Sequence, residues 1–265
     1  MNVYSLASDY SRRKFDYADF MRKMQAEGRV TAYPSENGNP IYAVRFGKSP
    51  KLIISFSGNH GNETNAINGG KKMLLMLSEG RLDEFLEDAS YVGVPCLNPD
   101  GELLNQRENA KGINVNRDFS GRGPMHIFGR AFRTKEALAA KRIIDENHPA
   151  IVLDHHDYGM RPSEFETHES GTPLAEKIAL DVRAAVREWG GYVEDVLAYP
   201  KLGPSRLVGY ASRMEIPSIL FESGIFLGAE PHIIADVETM KSFSESLRAR
   251  QKRSLSSPRN VPSSM

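Results

Sequence analysis

Hydrophobic and polar positions follow two rhythms along this chain, and the switches between them predict the elements. Between residues 12 and 26, Phe15, Tyr17, Phe20, Met21 and Met24 fall mostly on one side of a helix, with Gly28 as its stop. Strand patterns near 29–33 and 41–46 flank the turn Ser35-Glu36-Asn37-Gly38-Asn39-Pro40, whose Asn-Gly and Asn-Pro steps signal a hairpin or loop. The apolar run 52–56 reads as a buried strand. Helical spacing returns over 65–78 and near 81–87, and a strand follows at 91–97. Residues 98–130 are rich in Gly, Asn, Arg and Asp and show little period; an unstructured stretch of that length in a compact domain is usually functional or disordered. Beyond it the pattern gives a helix at 134–146, a strand at 150–154, a long loop, a helix at 173–188 and a strand near 191–197. A glycine- and proline-punctuated loop at 198–212, a short strand at 218–221 and a helix at 231–249 complete the series.

Strands alternating with helices, several of them apolar throughout, predict an α/β fold with a mostly parallel sheet covered on both faces. Ligands of such sheets bind outside the carboxyl ends of the strands. His60, the loop after Leu97, the histidines after Asp154, and Glu222 all fall at predicted strand ends, so four chemically interesting segments converge on one edge. The 265 residues suit one large α/β domain, and neither a repeat nor a boundary interrupts them. Residues 1–250 are therefore read as a single catalytic domain and 251–265 as a disordered polar tail.

Composition narrows the function classes. Lys+Arg and Asp+Glu both total 34, and this neutrality gives no bulk attraction for nucleic acid or an anionic membrane. A small-molecule or peptide ligand is expected instead. The single cysteine, Cys96, rules out an internal disulfide and an all-cysteine metal site; in its apolar run it reads as a core thiol. The N-terminal residues lack the apolar segment of a signal peptide and no run reaches the length that spans a bilayer, so the expected location is cytoplasmic. Oligomeric state leaves no trace in the sequence.

The candidate chemistry starts at Gly58-Asn59-His60-Gly61-Asn62-Glu63, where an imidazole and a carboxylate three residues apart could close on one cation. Zinc accepts this N/O set, and catalytic zinc keeps a position open for water. The run Leu153-Asp154-His155-His156-Asp157 offers a third ligand. Strand alternation puts Asp154 beside His156, which makes His156 the ligand and Asp154 its partner; His155 is the alternative, and both could instead be surface loop residues. Glu222, an acid directly after Ile219-Leu220-Phe221, suits a general base near an activated water, a metal ligand, or the partner of a buried arginine. Arg107 and Arg117 in the long loop carry forks that grip a carboxylate or oxyanion, with Asn116 as an added donor; the bland alternative is solvated loop cations.

Together these segments resemble the zinc carboxypeptidase family and its wider clan. The resemblance is carried by His60-x-x-Glu63, Asn98-Pro99-Asp100-Gly101, Arg107, Asn116-Arg117-Asp118-Phe119, His156 in an Asp-x-His step, and Glu222 after an apolar strand. Their order and approximate separations match from residue 30 to residue 225. It implies a three-layer α/β/α sandwich with a mixed, mostly parallel central sheet, and one zinc ion held by His60, Glu63 and His156. It implies further that Glu222 activates a zinc-bound water, Arg107 polarises the scissile carbonyl, and Asn116 and Arg117 hold the substrate's terminal carboxylate. A closing tyrosine is implied at Tyr199, with Tyr210 as the alternative. Arg206, in the loop that lines the side-chain pocket of such enzymes, implies a preference for acidic residues unless it is an exposed loop arginine.

The function so implied is a zinc metallocarboxypeptidase or amidase, cleaving an amide beside a free C-terminal carboxylate. The aspartoacylase and succinylglutamate desuccinylase branch shares a turn like that at His60 and Glu63, so an N-acyl amino acid is the alternative substrate to a peptide. A catalytically silent zinc- or peptide-binding relative is the third reading. Two departures from the family pattern stand out. Asn114 occupies a position where Asp commonly orients the first zinc histidine, and Ser223-Gly224 follows the base where an apolar residue is common. The chain is also short beside the digestive members, with neither a pro-segment nor a secretion signal expected.

Overall fold

The computed structural model describes residues 2–120, 131–159, 164–193, 203 and 205–256. Along the chain, α1 (Val3–Arg12) and α2 (Tyr17–Ala26) precede the hairpin of β1 (Val30–Pro34) and β2 (Pro40–Phe46). Next come β3 (Leu52–Ser57), α3 (Thr64–Ser78), the short α4 (Asp83–Leu86), β4 (Ser90–Val94) and α5 (Pro99–Leu104). A 3-10 turn at Val115–Arg117 leads to α6 (Lys135–Asn147), β5 (Ile151–Tyr158), β6 (Glu164–Glu169) and α7 (Pro173–Trp189). The chain then forms β7 (Tyr192–Val193), α8 (Leu207–Arg213), β8 (Ser218–Gly224) and α9 (Glu230–Ser256).

Among the described residues the strands join in one eight-stranded sheet, ordered β1-β2-β4-β3-β5-β8-β6-β7. The central strands β4, β3, β5 and β8 are parallel, while β2 and β6 flank them antiparallel. Every residue of β3 is buried, which is why this strand reads as a continuous apolar run. Each fully buried Ile or Phe there contributes about 1.5–3 kcal/mol.

Two cores cover the two faces. Ile53, Ile151, Leu153, Ile219 and Phe221 pack with α1, α2, α3, α7 and α9. Ile54, Phe56 and Val152 pack on the other face with Phe119, α6 and α8. The result is a mixed, three-layer α/β/α arrangement, as the alternation of elements predicts. Among the described residues no helix is long and apolar enough to cross a membrane.

Five features differ from the sequence expectation, each for a physical reason. The helix expected over 12–26 is confined to α2, which Asp16 starts by accepting the Asp19 amide at 3.0 Å, and a further helix, α1, capped by Asn2, precedes it. The strand expected to stop at Asp154 runs on to Tyr158, since β8 pairs with it as far as Gly224. The polar segment Glu164–Glu169, read as loop, is a strand held by antiparallel pairing to β8, and Leu207–Arg213 is a helix inside the predicted loop 198–212. Finally, α9 continues to Ser256, past the start of the expected tail; residues 257–265 lie outside the described ones.

Candidate metal centre and active site

The parallel strands deliver their carboxyl ends to one edge. After β3 the chain turns through residues 58–63 into α3, and this turn lies against the start of α5. A Cβ on Gly61 would sit 2.0 Å from the carbonyl carbon of Gly101, so only glycine allows that approach. The Asn98-Pro99-Asp100-Gly101 segment builds the other side of this contact. Asn98 Oδ1 caps α5 by accepting the Gly101 amide at 2.9 Å, and Pro99 takes the first helical turn. Asp100 accepts from the Ser35 hydroxyl at 2.7 Å and the Asn37 amide at 2.9 Å, tying the β1–β2 turn to the same place.

His60, Glu63 and His156 meet there, and one ligand atom from each lies within 4.8 Å of the others. His60 Nδ1 is 2.6 Å from Glu63 Oε1, and His156 Nδ1 is 2.8 Å from Glu63 Oε2. All three side chains are buried. The far nitrogen of each imidazole is engaged elsewhere. His60 Nε2 donates to Asn114 Oδ1 at 3.1 Å, and His156 Nε2 lies 3.1 Å from Asp154 Oδ2. Those partners hold the ring orientations and leave Nδ1 of each imidazole directed at the Glu63 carboxylate. Two imidazole nitrogens and one carboxylate on a buried, converging site are a donor set that fits zinc.

The electrostatics agree with this arrangement. Burial would raise the Glu63 carboxyl, but His156 and His60 together hold it down at about 2. Burial works against charge on His156, and Asp154 and Glu63 override it, raising its pKa well above the ordinary value. His60 is lowered, chiefly by burial. An amide at position 114 polarises His60 less than a carboxylate does. Asn114→Asp should therefore tighten zinc binding by on the order of 10-fold; competition with a chromophoric chelator would measure it, and unchanged affinity would count against the partner's influence.

Across the sheet, His156 on β5 pairs in register with Glu222 on β8, which pairs with Glu166 on β6. Residues so paired share a face, so the three side chains form a row on the side of Asp154 and α8. Burial raises the Glu222 carboxyl to about 7, with His156 and Arg206 pulling it down and Glu63 and Asp154 pushing it up. Two residues along β6, His168 stands 3.4 Å from Glu166, and burial together with Arg206 and His156 lowers its pKa to about 4. Glu166 and His168 were absent from the sequence reading; the alternation Glu164-x-Glu166-x-His168 was the available signal.

The cations gather around the same row. Arg107 Nη1 is 3.6 Å from Glu63 Oε1. Arg117 is half-buried and donates to the Asn116 carbonyl at 2.8 Å. Two hydrogen bonds stitch the segment around Arg206 to the one around Arg117: Phe119 N to Ser205 O at 3.1 Å, and Leu207 N to Asn116 Oδ1 at 3.0 Å. Asn116 itself is turned inward, only 3% exposed, with Nδ2 at 2.9 Å from His156 Nε2. Its side chain thus lies against the histidine and accepts from the first residue of α8.

His155 points away from this site, to the opposite face of β5, where it meets His232 and Asp236. Tyr210 is a buried residue of α8 whose hydroxyl donates to Asp145, and its ring packs against Phe132. Tyr199 lies outside the described residues.

No family model matches the chain. Carboxypeptidase SOL1 of Arabidopsis thaliana is 28% identical over 117 residues, a match spanning 38% of this chain and 23% of that protein's length. Among solved structures, a metallo-carboxypeptidase from Pseudomonas aeruginosa in complex with (2-guanidinoethylmercapto)succinic acid superposes with a TM-score of 0.65 at 18% identity, over 87% of this chain and 68% of the other. The murein-tripeptide amidase MpaA from Escherichia coli O157 gives 0.56 at 18% identity, over 79% of this chain and 91% of the other. With its parallel core strands, its covering helices and these structural neighbours, the chain has the metallocarboxypeptidase fold.

Proposed function

We propose that the protein is a zinc-dependent carboxypeptidase or amidase that hydrolyses an amide bond beside a free carboxylate. The observation that carries this reading is the in-register pair His156–Glu222, which sets a half-buried carboxyl beside a two-histidine, one-carboxylate donor set. Zinc held by His60, Glu63 and His156 would act as a Lewis acid, polarising the carbonyl and acidifying water.

The chain's own groups carry the remaining work. Glu222, held near neutrality by burial, accepts the proton of the attacking water and passes it to the departing amine. Arg107, beside Glu63, directs N–H donors to the developing oxyanion. Arg117 holds the substrate's terminal carboxylate by a two-point contact, with Asn116 fixing the turn beneath it. The segment of Arg206 is joined to that of Arg117, and a second cation beside the first would favour Glu, Asp or a related diacid as the terminus.

A hydrolysis panel on zinc-loaded protein tests the reading. Blocked dipeptides with acidic, basic and apolar C-termini should be compared with N-acetyl-aspartate and N-succinyl-glutamate. Cleavage of the blocked dipeptides is expected; turnover of the N-acyl amino acids alone would move the protein to the deacylase branch, and no turnover of anything would leave a silent relative. Within the dipeptides, Arg206→Ala should cost acidic termini about 10-fold or more in kcat/KM, a loss of about 1.4 kcal/mol. Equal losses for every terminus would remove Arg206 from specificity.

A further inference from the structure

The first turn of α3 lacks the cap its position calls for. Glu63 is the N-cap residue, yet its side chain makes no capping hydrogen bond, because the carboxylate is turned between His60 and His156. A side chain at that position ordinarily accepts the amide of the second or third helical residue. Those amides, on Asn65 and Ala66, are instead taken by Asp157, the residue directly after His156 on β5. Asn65 N donates to Asp157 Oδ2 at 2.8 Å, and Ala66 N donates to Oδ1 at 3.1 Å.

Asp157 is itself braced from behind. His232 of α9 donates from Nε2 to Asp157 Oδ1 at 3.0 Å, and its Nδ1 lies 3.2 Å from His155 Nδ1. His155 Nε2 in turn lies 3.3 Å from Asp236 Oδ1. The side chains of His155, His232, Asp157 and Asp236 are at most 4% exposed. Room for this contact comes from α3: a Cβ on Gly69 would lie 2.6 Å from the His232 Cβ, so α9 can bring its imidazole against α3 only over a glycine.

We propose that Asp157, braced by His232, is a positioning residue that caps α3 in place of Glu63 and so frees the Glu63 carboxylate to serve as a metal ligand. The inference rests on the metal-centre reading of His60, Glu63 and His156. Its physical content is a division of labour along one strand: His156 faces the cation, and Asp157, on the other face, takes the two helix amides that the adjoining ligand cannot. A carboxylate at a helix N-terminus is also favoured by the helix dipole.

The test uses the full chain in two forms. In metal-free protein, hydrogen exchange of the Asn65 and Ala66 amides should accelerate selectively in Asp157→Ala. In zinc titrations against a chelator, affinity should fall on the order of 10–100-fold in Asp157→Ala, with partial recovery in Asp157→Asn, which keeps one oxygen acceptor. Gly69→Ala, which drives His232 off, should weaken zinc binding in the same direction. Met73→Ala, a core truncation on the same helix, serves as the comparison for general destabilisation. Wild-type affinity in Asp157→Ala, or an equal loss in Met73→Ala, overturns the proposal. Failure of the unmodified protein to bind zinc would sink the metal-centre reading instead, and the amide exchange of the metal-free protein would still decide the cap.

Discussion

Replacing Glu222 by Gln is expected to lower turnover by roughly 10²–10⁴-fold while leaving zinc binding in place. The substitution keeps the size and the polar end of the side chain and removes only its ability to take a proton. Since His60, Glu63 and His156 supply the donor set, the zinc content of the purified variant should match that of the unmodified protein. The pH profile gives a second, independent reading. Burial lifts the Glu222 carboxyl to about 7, and a base works only when ionised, so kcat/KM should fall on the acid side as Glu222 takes up its proton. A cation held at His156 would take over the downward pull of that imidazole beside that of Arg206, which places that limb at or below about 7. Removing the Arg206 charge should move the limb upward, and the residual rate of the Gln variant should lose it. Full activity in Glu222→Gln would sink the base assignment.

His156→Ala should purify without zinc, whereas His155→Ala should retain it. The two residues are neighbours in sequence and opposites in space. His156 Nδ1 faces Glu63, while His155 is directed to His232 and Asp236 on the far face of the sheet. Removing His156 from a three-ligand site leaves only His60 and the Glu63 carboxylate, and the loss of affinity should exceed that of any change in a supporting partner. His155→Ala should cost stability instead, because it leaves the buried groups around it unpaired. The pH dependence has a definite sign: Asp154 and Glu63 raise the His156 pKa, so a proton competes with the cation, and zinc affinity should rise with pH. Metal analysis of both variants decides the matter; zinc lost from His155→Ala and kept in His156→Ala would exchange the two roles.

Much of the framework was legible from periodicity, because buried parallel strands such as Leu52–Ser57 are apolar throughout and their boundaries are sharp. The missed elements share one property, which is that their stability comes from partners distant in sequence. The segment Glu164–Glu169 is polar at most positions and becomes a strand only because β8 offers it backbone partners. The extension of β5 through His155 and His156 has the same cause. Helix α8 lies in a stretch whose glycines and prolines signal loop, and it is held by Asn116 and by packing around Phe119.

For the site, residue types and spacing were enough to nominate His60, Glu63, His156, Glu222 and the arginines, since their chemistry is carried by side chains that local pattern places at strand ends. Alternation along a strand also separated His156 from His155 in principle, for successive side chains must point to opposite faces. Which face carries the three candidate ligands, the inward turn of Asn116, the row joining Glu222 to Glu166, and the contacts of Asp157 with the first turn of α3 depend on which strands and helices lie side by side. Those neighbours are set by long-range packing and pairing. A chain read one residue after another records the donors and acceptors, but the distance between Asn65 and Asp157 exists only once β5 and α3 are packed together.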